Sequence, residues 1–494
     1  MLSKRLKACF GVLLTLPSVG IVRASAPASS NLPERLNDHI GVGTHFVHWT
    51  NAEKALPLIA AAGIGWVRDD LTWSSVETER GVYHIPDKMM AWIRAVHANG
   101  LKLDLVLNGG NELYVDRFDS AAYALFAAYV ATELSSDVDC LEILNEPTNL
   151  GFLKAYGGSW NGYEVDGSVS PWMSKYVALL NGAARAIKAA NPHVKVIGLG
   201  SVTPANIWQI KLGISPDVDG IVDHPYSYRT VPEILPFNSS PALVARDGIA
   251  IMDEIGSFPS FVSAYREASR RYNGPVELWL TEFGYSTYQP TKPDLFAGFT
   301  PRAQAIYIQR RLVQAIALGV NEVFVYDFKD DGADPFNREH NFGIVDASLQ
   351  PKPAYGAVKS VANALTDLKP CAQAPAIKVF VHDGPLNAAR PAGFPAASAN
   401  DVPVYAFTDA NKHLVIALWS AERAGGDQMP HIVRIEISGA SAISKVEALD
   451  LLTNLCTDVP FQKGANGDVA IDRLSLPDHP LLLSTDAEIP PKSG

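Results

Sequence analysis

Cysteine and basic charge are both scarce in this sequence. Only 4 cysteines stand in 494 residues, and no Cys/His spacing matches a zinc site. Lys and Arg number 41 against 52 Asp and Glu, a formal net charge of −11. A surface of that sign repels phosphate backbones and anionic lipid, which argues against a nucleic-acid partner. Phosphate-cradling loops are missing too. Gly41-Val42-Gly43 follows a strand start but lacks the third glycine of a dinucleotide site, and there is no Walker-type loop. The G-x-S-x-G elbow and H-E-x-x-H are also absent. The acidic stretch 327–334 misses calcium-loop spacing, with Lys329 and Arg338 where ligands would fall. No metal or cofactor is therefore expected.

Long apolar runs are lacking as well. The first 26 residues hold Lys4, Arg5 and Lys7, then a mostly apolar run over 8–22, then Ala24-Ser25-Ala26. The run is short for a membrane span and contains Pro17. The pattern is that of a secretory signal peptide cleaved near Ala26, predicting a secreted or periplasmic protein with no membrane attachment afterwards. Cleavage would remove four basic and no acidic residues, moving the net charge from −11 to −15. Of the remaining cysteines, Cys140 lies in an apolar run and reads as a buried small hydrophobe. Cys371 and Cys456 could form one disulfide in an oxidising compartment.

What is present is a rhythm. Between 40 and 366, eight short β-rich runs alternate with helix-like stretches, at 40–46, 65–68, 101–107, 138–145, 194–199, 219–223, 276–281 and 322–327. Several are continuously apolar, as strands buried on both faces should be. Pro86 opens a helix closed by Gly100, Ser170-Pro171 opens the next long one, and Thr300-Pro301 opens a third that runs to Gly319. Eight β/α units predict an α/β fold, a (β/α)8 TIM barrel over 27–366, in preference to a doubly wound open sheet. Two long loops, 147–169 with Phe152, Tyr156, Trp160 and Tyr163, and 225–257 with Tyr226 and Tyr228, would overhang its C-terminal face. Those aromatics suit either sugar stacking or loop packing. From 367 to 494 the pattern becomes seven alternating runs between turn-rich segments, with a long loop at 383–400, which predicts a C-terminal β-sandwich.

Two glutamates close strands on opposite sides of that ring. Glu146 ends Leu141-Glu142-Ile143-Leu144-Asn145-Glu146-Pro147, the fourth strand, and Glu282 ends Glu277-Leu278-Trp279-Leu280-Thr281-Glu282, the seventh. They stand 136 residues apart, three units around the barrel, and so face one another across its mouth. Glycoside hydrolysis by the retaining route needs such a pair: one carboxylic acid to protonate the leaving oxygen, and one carboxylate to attack the anomeric carbon. Arg68, ending the second strand, is placed to hold Glu282 ionised. His45 and Asn108, at the ends of the first and third strands, are placed for sugar contact or for holding loops. Trp66 and Trp73 suit either core or platform.

The motifs LEILNEP and LWLTEFG resemble the acid/base and nucleophile strands of clan A glycoside hydrolases. Trp66-Val67-Arg68, Asp223-His224-Pro225-Tyr226 and Asn341-Phe342-Gly343-Ile344-Val345-Asp346 add to the likeness. With the trailing sandwich the chain is similar to glycoside hydrolase family 39 over 40–485. That family includes β-xylosidases, α-L-iduronidases and endoglycosidases of biofilm exopolysaccharide. The resemblance implies Glu146 as acid/base, Glu282 as nucleophile, Asn145 on the sugar 2-hydroxyl and Tyr226 orienting Glu282. His224 and Arg68 would complete the polar shell. One departure stands at the eighth strand, where many clan members place tryptophan. Here the run is Val325-Tyr326-Asp327-Phe328-Lys329, so Tyr326 or Phe328 would stack, while Asp327 and Lys329 suggest polar sugar contacts.

The expected activity is thus a retaining glycoside hydrolase acting within a bacterial exopolysaccharide, with a polysaccharide or oligosaccharide as its partner. An exo-acting β-xylosidase-like enzyme and a non-catalytic polysaccharide-binding scaffold are the alternatives.

Overall fold

The computed structural model describes residues 35–49, 52–149, 151–382, 402–424, 429–464 and 466–487. The signal-peptide segment and the 383–400 loop lie outside them. Eight parallel strands form a closed barrel: β1 (Asn37–Gly43), β2 (Ile64–Thr72), β3 (Lys102–Asn108), β4 (Cys140–Ile143), β5 (Lys195–Leu199), β6 (Gly220–Asp223), β7 (Glu277–Phe283) and β8 (Glu322–Val325). The ring shuts where β8 pairs with β1, Ile40 opposite Val323 and Val42 opposite Val325. All eight expected runs are strands. Helices return between them, and their punctuation follows the sequence. Thr300 Oγ1 accepts from Ala303 N at 3.1 Å to cap the helix Pro301–Ala317.

The barrel interior is stratified. A fully packed layer of Trp66, Cys140, Ile197, Val222, Trp279 and Phe324 plugs its lower part, with the rings of Trp66 and Trp279 edge-on at 5.2 Å. Trp66 and Trp73 are therefore core, not platform. Side chains on one face of a strand recur every second residue. One step above Trp66 comes Arg68, and one step above Cys140 comes Glu142, so a polar layer sits directly on the aromatic plug. Strand β7 breaks this count. Between Leu280 and Phe283 it carries one residue more than β8 opposite, a β-bulge. That extra residue turns both Thr281 and Glu282 toward the mouth, where strict alternation would allow only one of them.

Beyond the helix Pro353–Leu365, two antiparallel sheets follow. One runs in the order Ile377–Val381, His431–Ile437, Val469–Leu476, Gln462–Lys463. The other runs Cys456–Asp458, Val446–Asp450, Leu481–Thr485, Leu414–Leu418, Val404–Thr408, Lys369–Pro370. Ile416 and Leu418 face the first sheet, whereas Val415, Ala417 and Trp419 join the barrel's core. Both faces are covered, which is why this stretch reads as an unbroken apolar run. The possible Cys371–Cys456 disulfide is not formed: all three described cysteines are free. Cys371 abuts one edge strand of the six-stranded sheet and Cys456 begins the other edge strand, five strand spacings away, on the order of 24 Å.

The sandwich grips the barrel through charge as well as apolar surface. Arg310 is fully buried and pairs with Glu233 through Nε at 2.8 Å and through Nη2. Trp419 Nε1 donates to the same Glu233 at 2.8 Å, and Arg310 Nη1 donates to the Glu422 carbonyl at 2.8 Å. Replacing Glu233 with alanine strands a buried guanidinium. The expected cost is about 3–5 kcal/mol, read as a lowered urea midpoint, with the cleft residues untouched. A midpoint within error of the parent would refute this account. Among the described residues, no helix is long and apolar enough to cross a membrane.

Candidate active site

The polar layer rises into an open cleft at the C-terminal ends of the strands, a space of about 1070 Å³ that Arg68, Asn145, Glu146, Tyr226, Glu282 and Tyr326 help to line. Arg68 organises its floor. Its Nε and Nη2 take both oxygens of Glu142 at 2.9 Å, Nη1 donates to Glu282 Oε1 at 2.8 Å, and Nη2 also donates to Asn145 Oδ1 at 3.0 Å. The guanidinium is buried, which opposes its charge, but Glu142 and Glu282 hold it protonated far above any working pH. Glu282 receives a second donor, the Tyr226 hydroxyl, at 2.9 Å on Oε2. One carboxylate oxygen thus faces the arginine and the other the tyrosine.

Glu146 lies past the end of β4, where Leu144 and Glu146 both adopt positive φ, 64° and 39°. That conformation is uncommon for residues with a side chain, and it concentrates at functional sites. His224 Nδ1 bonds Glu146 Oε1 at 2.9 Å and lies 3.6 Å from Glu282 Oε2, while Nε2 meets Thr281 Oγ1 at 3.0 Å. Asn149 Nδ2 donates to Glu146 Oε2 at 2.8 Å. Burial pushes Glu146 up, but the His224 hydrogen bond and charge, with Asn149 and Arg68, outweigh it and set its carboxyl below the ordinary value. Burial pulls His224 down, yet Glu282 and Glu146 hold it above the ordinary imidazole value. Both directions favour the ring over the carboxyl for a proton shared by the His224–Glu146 pair. Oxygens of Glu146 and Glu282 and a ring nitrogen of His224 all lie within 4.8 Å of one another.

Solved structures share this fold. The chain aligns with a family 39 glycoside hydrolase from the gut symbiont Bacteroides cellulosilyticus WH2 at 21% identity and a TM-score of 0.64, covering 92% of this chain and 81% of that one. A glucosidase from Croceicoccus marinus (14% identity, TM-score 0.52) and the glycoside hydrolase family 30 subfamily 8 xylanase Xyn30A from Clostridium acetobutylicum (14%, 0.50) each match over 92% of this chain and 98% of theirs. At such identities the likeness establishes a common architecture, a TIM barrel carrying a β-sandwich. The first of these structures comes from the family that the sequence motifs resemble. No protein-family model and no curated protein matches the chain.

The structure brings most of the expected residues together. Arg68, Asn145, Glu146, Tyr226, Glu282, His45 and Tyr326 line the cleft, and His224 lines its extension. Three do not reach it. Asp327 is fully buried beneath the cleft wall, and Lys329 points its Nζ over the Trp49 ring at 4.4 Å, so neither is placed for sugar contact. Asn108 instead donates to Asp70 Oδ2 at 3.1 Å and so positions a cleft carboxylate. Of the two stacking candidates Phe328 is core, which leaves Tyr326, packed edge-on to Phe342 at 5.2 Å. Phe152 and Tyr163 are loop packing: Phe152 is buried against Phe118 and Tyr163 stacks on Trp208.

Several cleft groups went unread in the sequence. Glu142 had a signal, a charge inside an apolar strand. Asp69 and Asp70 adjoin Arg68; burial raises Asp69 to about 7, against the hydrogen bonds of Thr44 and Phe46 N. Phe296, Arg338 and Glu339 come from distant loops and had none.

Proposed function

We propose that this chain is a retaining glycoside hydrolase that cleaves within a polysaccharide, with Glu146 as acid/base and Glu282 as nucleophile. One observation carries the reading: an oxygen of Glu146 and one of Glu282 lie within 4.8 Å of each other, each carboxylate held by a different set of partners. Retaining enzymes hold the pair about 5–5.5 Å apart, whereas inverting ones need about 6.5–9.5 Å to admit a water. Arg68 and Tyr226 each hold one oxygen of Glu282 and so aim its carboxylate, which attacks the anomeric carbon. Glu146 receives the His224 proton and passes it to the leaving oxygen. A glycosyl ester on Glu282 results. Water then enters, Glu146 takes its proton, and the ester is hydrolysed with the anomeric configuration kept. Tyr226 and Arg68 stabilise the departing carboxylate. The residues named suffice for both steps without a cofactor.

An internal cut is supported by the shape of the cleft. Past Glu146 it continues as a narrow extension between the loops after β5 and β6, lined by Ser201, Thr203, Tyr228 and Phe237. Glu146, Asn149, Tyr226 and Tyr228 line both, so the cleft runs on past the proposed acid/base on the leaving-group side. A bacterial exopolysaccharide is the proposed substrate, in keeping with the expected signal peptide and export to the periplasm or medium. Reducing-end release from a panel of purified exopolysaccharides, beside p-nitrophenyl monosaccharides, tests it. Oligosaccharides from one polymer are expected. Cleavage of the nitrophenyl sugars alone would replace the endo reading with an exo one.

The shared proton sets a pH dependence. The acid-competent state has the His224–Glu146 pair protonated, and that proton is lost as pH rises through the raised His224 value. The basic limb of kcat/KM should therefore lie above 6.5. In His224→Asn the proton must sit on Glu146, a carboxyl, and the limb should move to lower pH by about one unit or more. An unmoved limb would show that His224 does not hold the proton.

A further inference from the structure

At the seam where β8 closes on β1 lies a cluster that glycosidic cleavage does not use. His45 follows β1, and Asp327 and Asp331 follow β8. His45 Nδ1 stands 2.9 Å from Asp331 Oδ2 and 3.8 Å from Asp327 Oδ2, and one donor atom from each residue falls within 4.8 Å of the other two. Asp331 is half-buried and also accepts from Trp49 Nε1 at 3.3 Å. Asp327 differs. Its side chain is fully buried, and neither oxygen has a hydrogen-bond partner.

A buried carboxylate without donors is a costly arrangement, and buried charges ordinarily are paired or coordinate a metal. The nearby cations are committed elsewhere. Lys352 Nζ bonds Asp330 at 3.0 Å, and Lys329 Nζ caps the Trp49 ring and reaches the Asp330 carbonyl at 3.4 Å. One imidazole is left facing two carboxylates.

We propose that His45 Nδ1, Asp327 and Asp331 together hold a divalent cation that ties the end of β1 to the end of β8. One imidazole nitrogen with two carboxylates suits Zn²⁺ or Mn²⁺ better than Ca²⁺ or Mg²⁺, which favour shells of oxygen. Metal–ligand bonds of about 2.0–2.2 Å hold neighbouring donors roughly 3–4 Å apart, the range of the separations seen at His45 Nδ1. Three protein ligands leave room for water. The donors lie on opposite ends of the barrel sequence, His45 and Asp331 being 286 residues apart, so no local spacing marks the site. The ion would brace the cleft wall, since His45 lines the cleft and packs edge-on to Tyr326 at 5.8 Å. This role does not depend on the proposed hydrolysis.

The test uses the full chain, stripped with chelator and titrated calorimetrically with Zn²⁺ and, separately, Mn²⁺, with metal content and unfolding temperature measured on the same samples. One ion per chain and an unfolding temperature raised by several degrees are expected. Asp331→Asn and Asp327→Asn should each weaken binding at least about tenfold. The double variant Glu146→Gln/Glu282→Gln should bind as the parent does, which separates this cluster from the Glu146–His224–Glu282 group. Asp331→Asn, at a half-exposed position, keeps the test open if Asp327→Asn does not fold. No bound ion would overturn the proposal, and so would undiminished binding by a folded Asp331→Asn. Binding lost only in the Glu146/Glu282 double variant would place the ion in the cleft and overturn it as well.

Discussion

Glu282→Gln should abolish turnover, lowering kcat on the cleaved polymer by about 10⁴-fold or more while leaving the unfolding temperature close to that of the parent. The amide is nearly isosteric, and Tyr226 can still donate to its oxygen. Arg68 keeps its bidentate pairing with Glu142, so the buried guanidinium is not stranded. What disappears is the negative oxygen that, in the proposed mechanism, attacks the anomeric carbon and stabilises the charge developing there. Initial rates of reducing-end release measure the loss. With the smaller Glu282→Ala, added azide should restore turnover and yield a glycosyl azide of inverted configuration, because a small anion can occupy the vacated face. A rate within tenfold of the parent would remove Glu282 from the reaction, and the retaining mechanism with it.

The reach of the sequence is clearest at particular strands. Apolar runs such as Val194–Leu199 named the barrel because a strand covered on both faces has few polar positions, and helix caps and glycines bracketed the units between. Glu146 and Glu282 were legible because each directly follows such a run. The way Glu282 reaches the mouth was not legible. It needs the β7 bulge, a mismatch with β8 that exists only once the two strands pair. Asp327 shows the opposite failure. Its position after β8 suggested sugar contact, yet the chain carries it under the wall, and only Tyr326 next to it faces the cleft. Arg338 and Phe296 arrive from loops whose placement is tertiary, with no periodicity to betray them.

Likeness to a family implied only that His224 belongs to the polar shell; its contact with Glu146 is tertiary, and the consequence is electrostatic. A general acid set below the ordinary carboxyl value would be a poor proton donor by itself. Pairing it with an imidazolium relocates the proton by one hydrogen bond without removing it from the site. In the proposed mechanism Glu282 gives up its charge to form the ester, and His224 then loses one of the two carboxylates that hold its proton. Transfer onto Glu146, and from there to the leaving oxygen, becomes easier as the reaction proceeds.

Glu146→Gln separates the two chemical steps. On the polymer, whose leaving oxygen is a sugar hydroxyl, loss of the acid should lower kcat by about 10²–10⁴-fold. On a dinitrophenyl glycoside of the sugar that the parent cleaves, the leaving group needs no proton. Glu282 should then still be glycosylated at close to the parent rate. Hydrolysis of the ester lacks its base, so the reaction should show a burst of about one equivalent of dinitrophenolate and a slow steady state. Azide, which needs no deprotonation, should speed that slow phase and give a product of retained configuration. The Glu282 variant should show neither a burst nor that product. A Glu146 variant equally slow on both substrates, with no burst, would mean that the residue holds the cleft together and does not move the proton.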